Sequence, residues 1–119
     1  MNEIKRPVNA HPAYHAHVYF DQDSKDIARR LCDNIAQRFD LAVGRFHEKP
    51  VGPHPVGSCQ ITFNTKHFDE FIPWLDDHRN GLTIFVHGLT GDDFKDHTDY
   101  AYWLGQSVKL NLGIFKNKT

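Results

Sequence analysis

Two hydrophobic periodicities alternate along this 119-residue chain, and their order constrains its fold more than any other feature. Residues 13–21 and 58–64 alternate apolar with polar side chains, which is typical of half-buried strands. Residues 41–47 predict a further strand, in which Gly44 marks a bulge or a close backbone approach. Before that strand, apolar residues recur at the spacing of an amphipathic helix that begins near Asp23 or Ser24. These apolar residues are Ile27, Leu31, Ile35 and Phe39.

The second half of the chain repeats the order of helix and strand. Thr65 can cap a second helix, which Pro73 should kink or split because proline cannot donate a helical hydrogen bond. A turn at residues 79–81 precedes a fourth predicted strand, residues 82–86, with His87 at its end. We expect a third helix after that strand, with the following residues on one face: Phe94, His97, Ala101 and Leu104.

The resulting order, βαββαβ followed by a helix, predicts an α+β sandwich of the ferredoxin-like class. In this architecture a four-stranded antiparallel sheet carries two helices on one face, and the C-terminal helix is an addition that should end at Gly105. Residues 108–115 should add a short strand or an extended tail. The length fits a single domain, which we assign to residues 13–119. Residues 1–12 are expected to form a loose or partly extended N-terminal arm.

Composition argues against several classes of function. A net charge of −1 gives no strong attraction for nucleic acid or for an anionic membrane surface. Cys32 and Cys59 match no metal-binding spacing, and we expect both to be free and buried rather than joined in a disulfide. The N-terminus has no apolar signal region, and no apolar run is long enough to span a bilayer, so a cytoplasmic location is expected.

Histidines carry the clearest chemical signal in the sequence. His15 and His17 alternate with apolar residues on the first strand and should share the sheet face opposite the helices. His87 has the matching parity at the end of the fourth strand, His54 lies in a loop rich in proline and glycine, and His97 falls in the third helix. Neutral imidazole is the commonest protein ligand for transition metals. Together these positions predict one mononuclear metal site on the open face of the sheet.

Several stretches that contain these histidines resemble the DOPA 4,5-dioxygenase-like family of small fungal and bacterial proteins. The resemblance implies a ferredoxin-like fold, frequent formation of homodimers, and members that open the ring of catechols such as L-DOPA with O2. One departure is Gly88, which stands where the family pattern has proline. The matching stretches, which follow the family's order along nearly the whole domain, are residues 14–21, 43–55, 86–93, 96–98 and 103–105.

Ring opening of this kind generally needs a ferrous ion with open coordination positions, which suggests Fe(II), with zinc or another divalent metal as an alternative. We assign the metal ligands to His17, His54 and His87. His15 and His97 are assigned as outer catalytic acids or bases. Arg45 could bind a substrate carboxylate, and Tyr19 could stack on an aromatic ring. A carboxylate ligand is harder to find, and the candidates for it are Asp21, Glu48 and Asp92.

The same residues also fit less specific roles, and two other classes of function stay open. Each histidine could be a solvated or internally hydrogen-bonded side chain, Arg45 could form a surface salt bridge, and Tyr19 could serve only core packing. A ferredoxin-like dimer could bind a metal or a small aromatic molecule without catalysis. A different metal enzyme, such as an isomerase or a hydrolase, could use the same imidazoles to polarise a carbonyl group. Dependence on ferrous iron and O2 would distinguish the dioxygenase from both.

Overall fold

One antiparallel sheet organises the protein, whose computed structural model describes residues 5–118. Residues 1–4 of the expected arm, and Thr119 at the end of the expected domain, lie outside the described residues. The strands are β1 (Ala13–Phe20), β2 (Ala42–His47), β3 (Gly57–Asn64), β4 (Ile84–Gly88) and β5 (Ala101–Leu104). The helices are α1 (Lys25–Arg38), α2 (Thr65–His78) and the single turn α3 (Asp93–Asp96), and a 3-10 segment covers Leu112–Lys118.

The strand order β2-β3-β1-β4-β5 confirms the predicted α+β fold. The first four strands have the ferredoxin-like order, in which each of the two crossovers contains one long helix. Pro73 does not split α2, because this helix runs unbroken from Thr65 to His78. Its cap is Asn64 rather than Thr65, since the Asn64 side chain accepts a hydrogen bond from the Lys66 amide at 2.9 Å.

The predicted third helix is wrong over most of its length. Only Asp93–Asp96 is helical, and Ala101–Leu104 forms a strand that pairs with β4, placing Tyr102 beside Val86 and Leu104 beside Ile84. Without this partner, the second edge of β4 would leave its backbone N–H and C=O groups unpaired next to the core. The aromatic pair of Tyr102 and Trp103 also favours a strand over a helix. Long-range pairing therefore outweighs the local helical spacing.

The two faces of the sheet bury different sets of side chains. The face toward α1 and α2 carries the main core, to which β1 contributes Tyr14, Ala16, Val18 and Phe20. The opposite face carries a smaller apolar cluster made by Tyr19, Phe85 and Trp103. The β2–β3 loop and the chain after β5 cover this second face, and the Asn111 amide donates to the Pro53 carbonyl at 2.8 Å. These two segments are the walls of the site described below.

The N-terminal segment lies on the domain over its described part. Residues 5–12 form neither a helix nor a strand, but the Trp103 amide donates to the Lys5 carbonyl at 2.8 Å. The Tyr14 hydroxyl donates to the Val8 carbonyl at 2.8 Å and accepts from the Ala10 amide at 2.7 Å. This part of the chain is therefore fixed to both β1 and β5. Among the residues that the structure describes, no helix is long and apolar enough to cross a membrane.

Candidate metal centre

Three imidazoles from two neighbouring strands converge on the open face of the sheet. His15 and His17 point the same way from β1, and the antiparallel register sets His15 directly opposite His87 on β4. The Nε2 atoms of His17 and His87 are 3.0 Å apart. One ring nitrogen from each of the three residues lies within 4.8 Å of the others, which is close enough for all three to bind one metal ion.

Burial keeps these imidazoles neutral, which is the form that binds metals. His17 is 3% exposed and His87 is 2% exposed. Burial, followed by repulsion from neighbouring imidazoles, holds the pKa of His17 well below its ordinary value. Burial also lowers the pKa of His87 to about 3 and, less strongly, the pKa of His15. All three side chains therefore offer lone pairs at neutral pH.

The orientation of His87 matches that of a typical metal ligand. Its Nδ1 atom donates to the Gly88 carbonyl at 2.9 Å, so Nδ1 carries the proton and Nε2 keeps a free lone pair. Histidines that bind metals commonly donate their second ring N–H to a carbonyl or a carboxylate in this way, because the hydrogen bond fixes both the tautomer and the ring plane. His87 is thus oriented before any ion arrives.

His54 reaches the cluster from the β2–β3 loop, and a tyrosine orients it. Its ring centroid lies 4.1 Å from that of His17, and its Nδ1 atom is 2.8 Å from the Tyr19 hydroxyl. Burial, followed by repulsion from His97, lowers the pKa of His54 to about 4. Burial also raises the pKa of Tyr19, so its hydroxyl keeps its proton. His54 is therefore a neutral imidazole at the border of the cluster, outside the trio with the closest ligand atoms.

His97 completes the group from the end of α3. Its Nδ1 atom donates to the Asp93 carbonyl at 2.7 Å, and its ring centroid is 4.3 Å from that of His87. Phe115 from the C-terminal segment packs against the other side of this ring, at a centroid distance of 5.0 Å. The structure thus brings together all five histidines that the sequence singles out, although the closest ligand atoms include His15 rather than His54.

The carboxylates considered from the sequence lie away from this cluster. Glu48 pairs with Lys25 at 2.9 Å on the surface. Asp21 accepts hydrogen bonds from Ser24 before α1, and the Asp92 side chain caps α3. These three acidic residues therefore serve helix ends and surface pairing, and they do not complete a ligand set.

Asp96 is the buried carboxylate that sequence reasoning missed. It is 1% exposed and accepts from the Thr90 hydroxyl at 2.6 Å and from the Thr90 amide at 3.0 Å. Its negative charge acts on His15, where it favours the protonated form against the stronger effect of burial. The only signal in the sequence was its place beside His97, in a segment that was expected to be a regular helix.

A polar cavity of about 180 Å³ adjoins the imidazoles. It lies between the β2–β3 loop and the open face of the sheet, and Arg45 stands at its edge. Its lining residues are His17, Gly44, Arg45, His47, Val51, His54, Ser58 and Gln60. Tyr19 forms a wall of a larger cleft of about 400 Å³, which none of the histidines lines. The smaller cavity is therefore the one that adjoins the candidate metal centre.

His11 explains why glycine follows His87. It is half-buried, and its Nε2 atom is 2.7 Å from the Tyr102 hydroxyl. A Cβ atom at Gly88 would lie 2.9 Å from the His11 ring. The Gly88 amide also donates to the Tyr100 carbonyl at 3.1 Å, a bond that proline cannot make. The contact with His11 and the bond to Tyr100 therefore both favour glycine over proline at this position.

Comparison with known proteins agrees with this arrangement. The sequence model of the Dopa 4,5-dioxygenase family matches residues 14–114. The chain belongs to this family. A DOPA 4,5-dioxygenase of Amanita muscaria is 35% identical to this chain over 108 residues. The match covers 83% of this chain and 47% of that protein. An uncharacterized 21.2 kDa protein of Botryotinia fuckeliana is 36% identical over 116 residues, covering 87% of this chain and 63% of the relative.

A crystal structure of another protein extends the likeness to the fold. This proposed dioxygenase from Nostoc punctiforme is 42% identical, with a TM-score of 0.87 over 91% of this chain and 94% of that chain. This chain therefore spans about half to two thirds of the length of the two curated fungal relatives, and nearly the whole length of the bacterial protein.

Proposed function

We propose that this protein is a metal-dependent dioxygenase that opens the ring of a catechol, such as L-DOPA, with O2. The observation that carries the proposal is the cluster of buried, neutral imidazoles on one sheet face, with three ligand atoms within 4.8 Å of one another. Membership of the Dopa 4,5-dioxygenase family supports the class of reaction. The metal, the catechol substrate and the residue roles are proposals.

The donor set fits a divalent transition metal. Three imidazole nitrogens with few charges nearby suit Fe(II), and they suit zinc or another divalent ion as well. We propose ferrous iron because the reaction consumes O2. The imidazoles would hold the ion, which would supply Lewis-acid and electron-transfer chemistry for the catechol and O2. We propose His17 and His87 as two of the ligands, because both are predicted from the sequence and both belong to the group of close ligand atoms.

The sequence and the structure favour different histidines as the third ligand. The sequence assigned His54, whereas the distances between ligand atoms favour His15. We propose His15 as the ligand on these distances alone, because the hydrogen bond between His54 Nδ1 and the Tyr19 hydroxyl leaves the Nε2 atom of His54 open to either role. His54 is then suited to accept the phenolic proton of the substrate, since its lowered pKa of about 4 keeps it neutral at pH 7. His97, which contacts His87 and His54, is the second proposed acid or base.

Iron loading followed by oxygen uptake tests this proposal. The metal-free protein is loaded with Fe(II) under anaerobic conditions and mixed with L-DOPA, and air is then admitted. We expect stoichiometric oxygen uptake and a yellow ring-opened product. His87→Ala should bind at least about tenfold less iron, whereas His78→Ala, on the exposed side of α2, should behave as the wild type. No uptake with L-DOPA or simpler catechols, despite bound iron, would overturn the proposal.

A pair of variants identifies the third ligand. If His15 binds the metal, His15→Ala should lose iron, and His54→Ala should retain iron while losing most of its turnover. The reverse pattern would restore the ligand set that the sequence predicted. Iron content by metal analysis and turnover by oxygen uptake give separate readouts, so a lost ligand and a lost acid or base are distinguishable.

Two further expectations from the sequence are proposals about the protein in the cell. We propose that it forms a homodimer, which the family resemblance implies, and that it works in the cytoplasm without binding nucleic acid or membrane. Sedimentation velocity over a range of protein concentrations checks the dimer: a single species at the monomer mass of 13.8 kDa would contradict it.

A further inference from the structure

A β-bulge places Arg45 in the lining of the cavity that adjoins the metal centre. On β2, Val43 pairs with Ile61 and Phe46 pairs with Cys59, so the two residues between them, Gly44 and Arg45, oppose the single residue Gln60. In a regular strand Arg45 would share the parity of Val43 and point toward the helices. Because of the extra residue, the side chain of Phe46 points toward the helices instead, and it stacks on Phe20.

The bulge is held in place from the core side. The Cys59 thiol lies 3.8 Å from the Gly44 carbonyl and donates to it. The following strand pair is regular again, with His47 opposite Ser58. Arg45 and His47 therefore both line the cavity of about 180 Å³, together with His17 and His54 from the imidazole cluster. The cavity therefore adjoins the metal centre at His17, which belongs to both.

Arg45, Ser58 and Gln60 are polar side chains of this cavity that could contact a ligand. Among residues 5–115, no acidic side chain forms an ion pair with Arg45, and none of the residues lining the cavity is acidic. Ser58 is only 2% exposed and lines the cavity, where its hydroxyl can donate to a bound molecule. Gln60 adds an amide that can also donate to a ligand.

From this arrangement we propose that the cavity binds a carboxylate carried on a short side chain of the aromatic substrate. Arg45 would form the bidentate pair with the carboxylate, and Ser58 and Gln60 would donate further hydrogen bonds. The ring would then lie against His17 and His54, with its hydroxyl groups toward the metal centre. The inference rests on the proposed function, and it makes Arg45 the residue that distinguishes acidic catechols from neutral ones.

Binding of unreactive aromatic acids tests the inference without any turnover. Phenylpropanoate and phenylpropanamide have nearly the same shape, but only the first carries a negative charge. Isothermal titration of the full chain should show the acid binding about tenfold to a hundredfold more tightly than the amide. Arg45→Gln should remove most of this preference, and Arg45→Lys should restore part of it, because lysine keeps the charge but not the fork of donors. Arg30→Gln, which removes an exposed charge from α1 on the other side of the sheet, is the matched control.

The outcomes separate this inference from the proposed function. Equal binding of acid and amide, or an unchanged preference in Arg45→Gln with the circular dichroism of the wild type, would overturn the carboxylate site. Displacement of the acid by inorganic phosphate at far lower concentration than by acetate would overturn the choice of carboxylate. With iron-loaded protein, the ratio of kcat/KM for dihydroxyphenylpropanoate to that for its amide should fall in Arg45→Gln. Arginine-dependent acid binding without any ring opening would support the site and count against the dioxygenase.

Discussion

At the scale of single residues, hydrogen bonds to the imidazoles set which nitrogen each one offers. His87 donates through Nδ1 to the Gly88 carbonyl, and His97 donates through Nδ1 to the Asp93 carbonyl. Both carbonyls belong to the backbone, so these two ring orientations depend on local chain geometry. His54 differs, because its partner is the hydroxyl of Tyr19 on another element. A single side-chain substitution can therefore release His54 and leave the other two unchanged.

Tyr19→Phe tests this dependence. The substitution removes the hydroxyl and leaves the buried Nδ1 atom of His54 without its partner, which should lower the free energy of unfolding by about 1–3 kcal/mol. If His54 accepts a substrate proton, kcat should fall about tenfold or more, while iron content stays at the wild-type level. Urea unfolding, metal analysis and the pH profile of kcat measure these effects. A variant that lost iron instead would indicate that His54 is a ligand.

Gly88→Ala tests the packing against His11. The added methyl group would stand 2.9 Å from the His11 ring, and the closest atoms on that ring must shift to admit it. We expect a loss of about 1–3 kcal/mol in the free energy of unfolding. In the His11→Ala background, Gly88→Ala should lower the free energy of unfolding by less than it does in the wild type, because the clash is then absent. Strictly additive effects of the two substitutions would contradict the contact.

At the scale of elements, most of the fold could be predicted because two local periodicities agree with the tertiary structure. The strand pattern of β1 and the helical pattern of α1 each match their burial. Gly44 was correctly identified as the mark of a bulge or a close approach. The failure came after β4, where a helical spacing of apolar residues coincided with a four-residue strand. That strand forms by pairing with the edge of β4 that β1 does not occupy. No local sequence pattern predicts such long-range pairing.

The candidate site shows the same limit. Parity placed His15, His17 and His87 on one face, but it could not set the register that puts His15 directly opposite His87. The choice between His15 and His54 as a ligand depends on that register. Asp96 was missed for a related reason, since its burial follows from the turn made with Thr90 and not from a helical face.

Asp96→Ala tests whether this turn positions His97. The variant leaves the Thr90 amide and hydroxyl without their acceptor, and a loss of about 1–3 kcal/mol in the free energy of unfolding should follow. We also expect turnover to fall by more than the folded fraction does, because α3 carries His97 into the site. Asp69→Ala, on the exposed side of α2, is the matched control. Wild-type stability of Asp96→Ala would mean that water replaces the carboxylate without cost.

At the scale of the whole molecule, the imidazole cluster makes the fold sensitive to acid. Burial and mutual repulsion hold the pKa of His17, His54 and His87 below the ordinary value of 6.5. The unfolded chain therefore binds more protons than the folded protein once the pH falls below about 6.5. The favourable neutral state is fully present above that pH and is lost as the pH falls toward the folded values of about 3 to 4.

Urea unfolding of the metal-free protein at several pH values measures this effect. The free energy of unfolding should be nearly constant above pH 7 and should fall below pH 6.5 by about 1.4 kcal/mol per pH unit for each buried imidazole. His87→Leu should show a shallower fall, by about one proton. Bound Fe(II) or zinc should raise the stability at pH 7 and steepen its fall with acid, because protons and metal compete for the same nitrogens. Coincident curves for His87→Leu and the wild type would show that His87 is not held neutral by the fold.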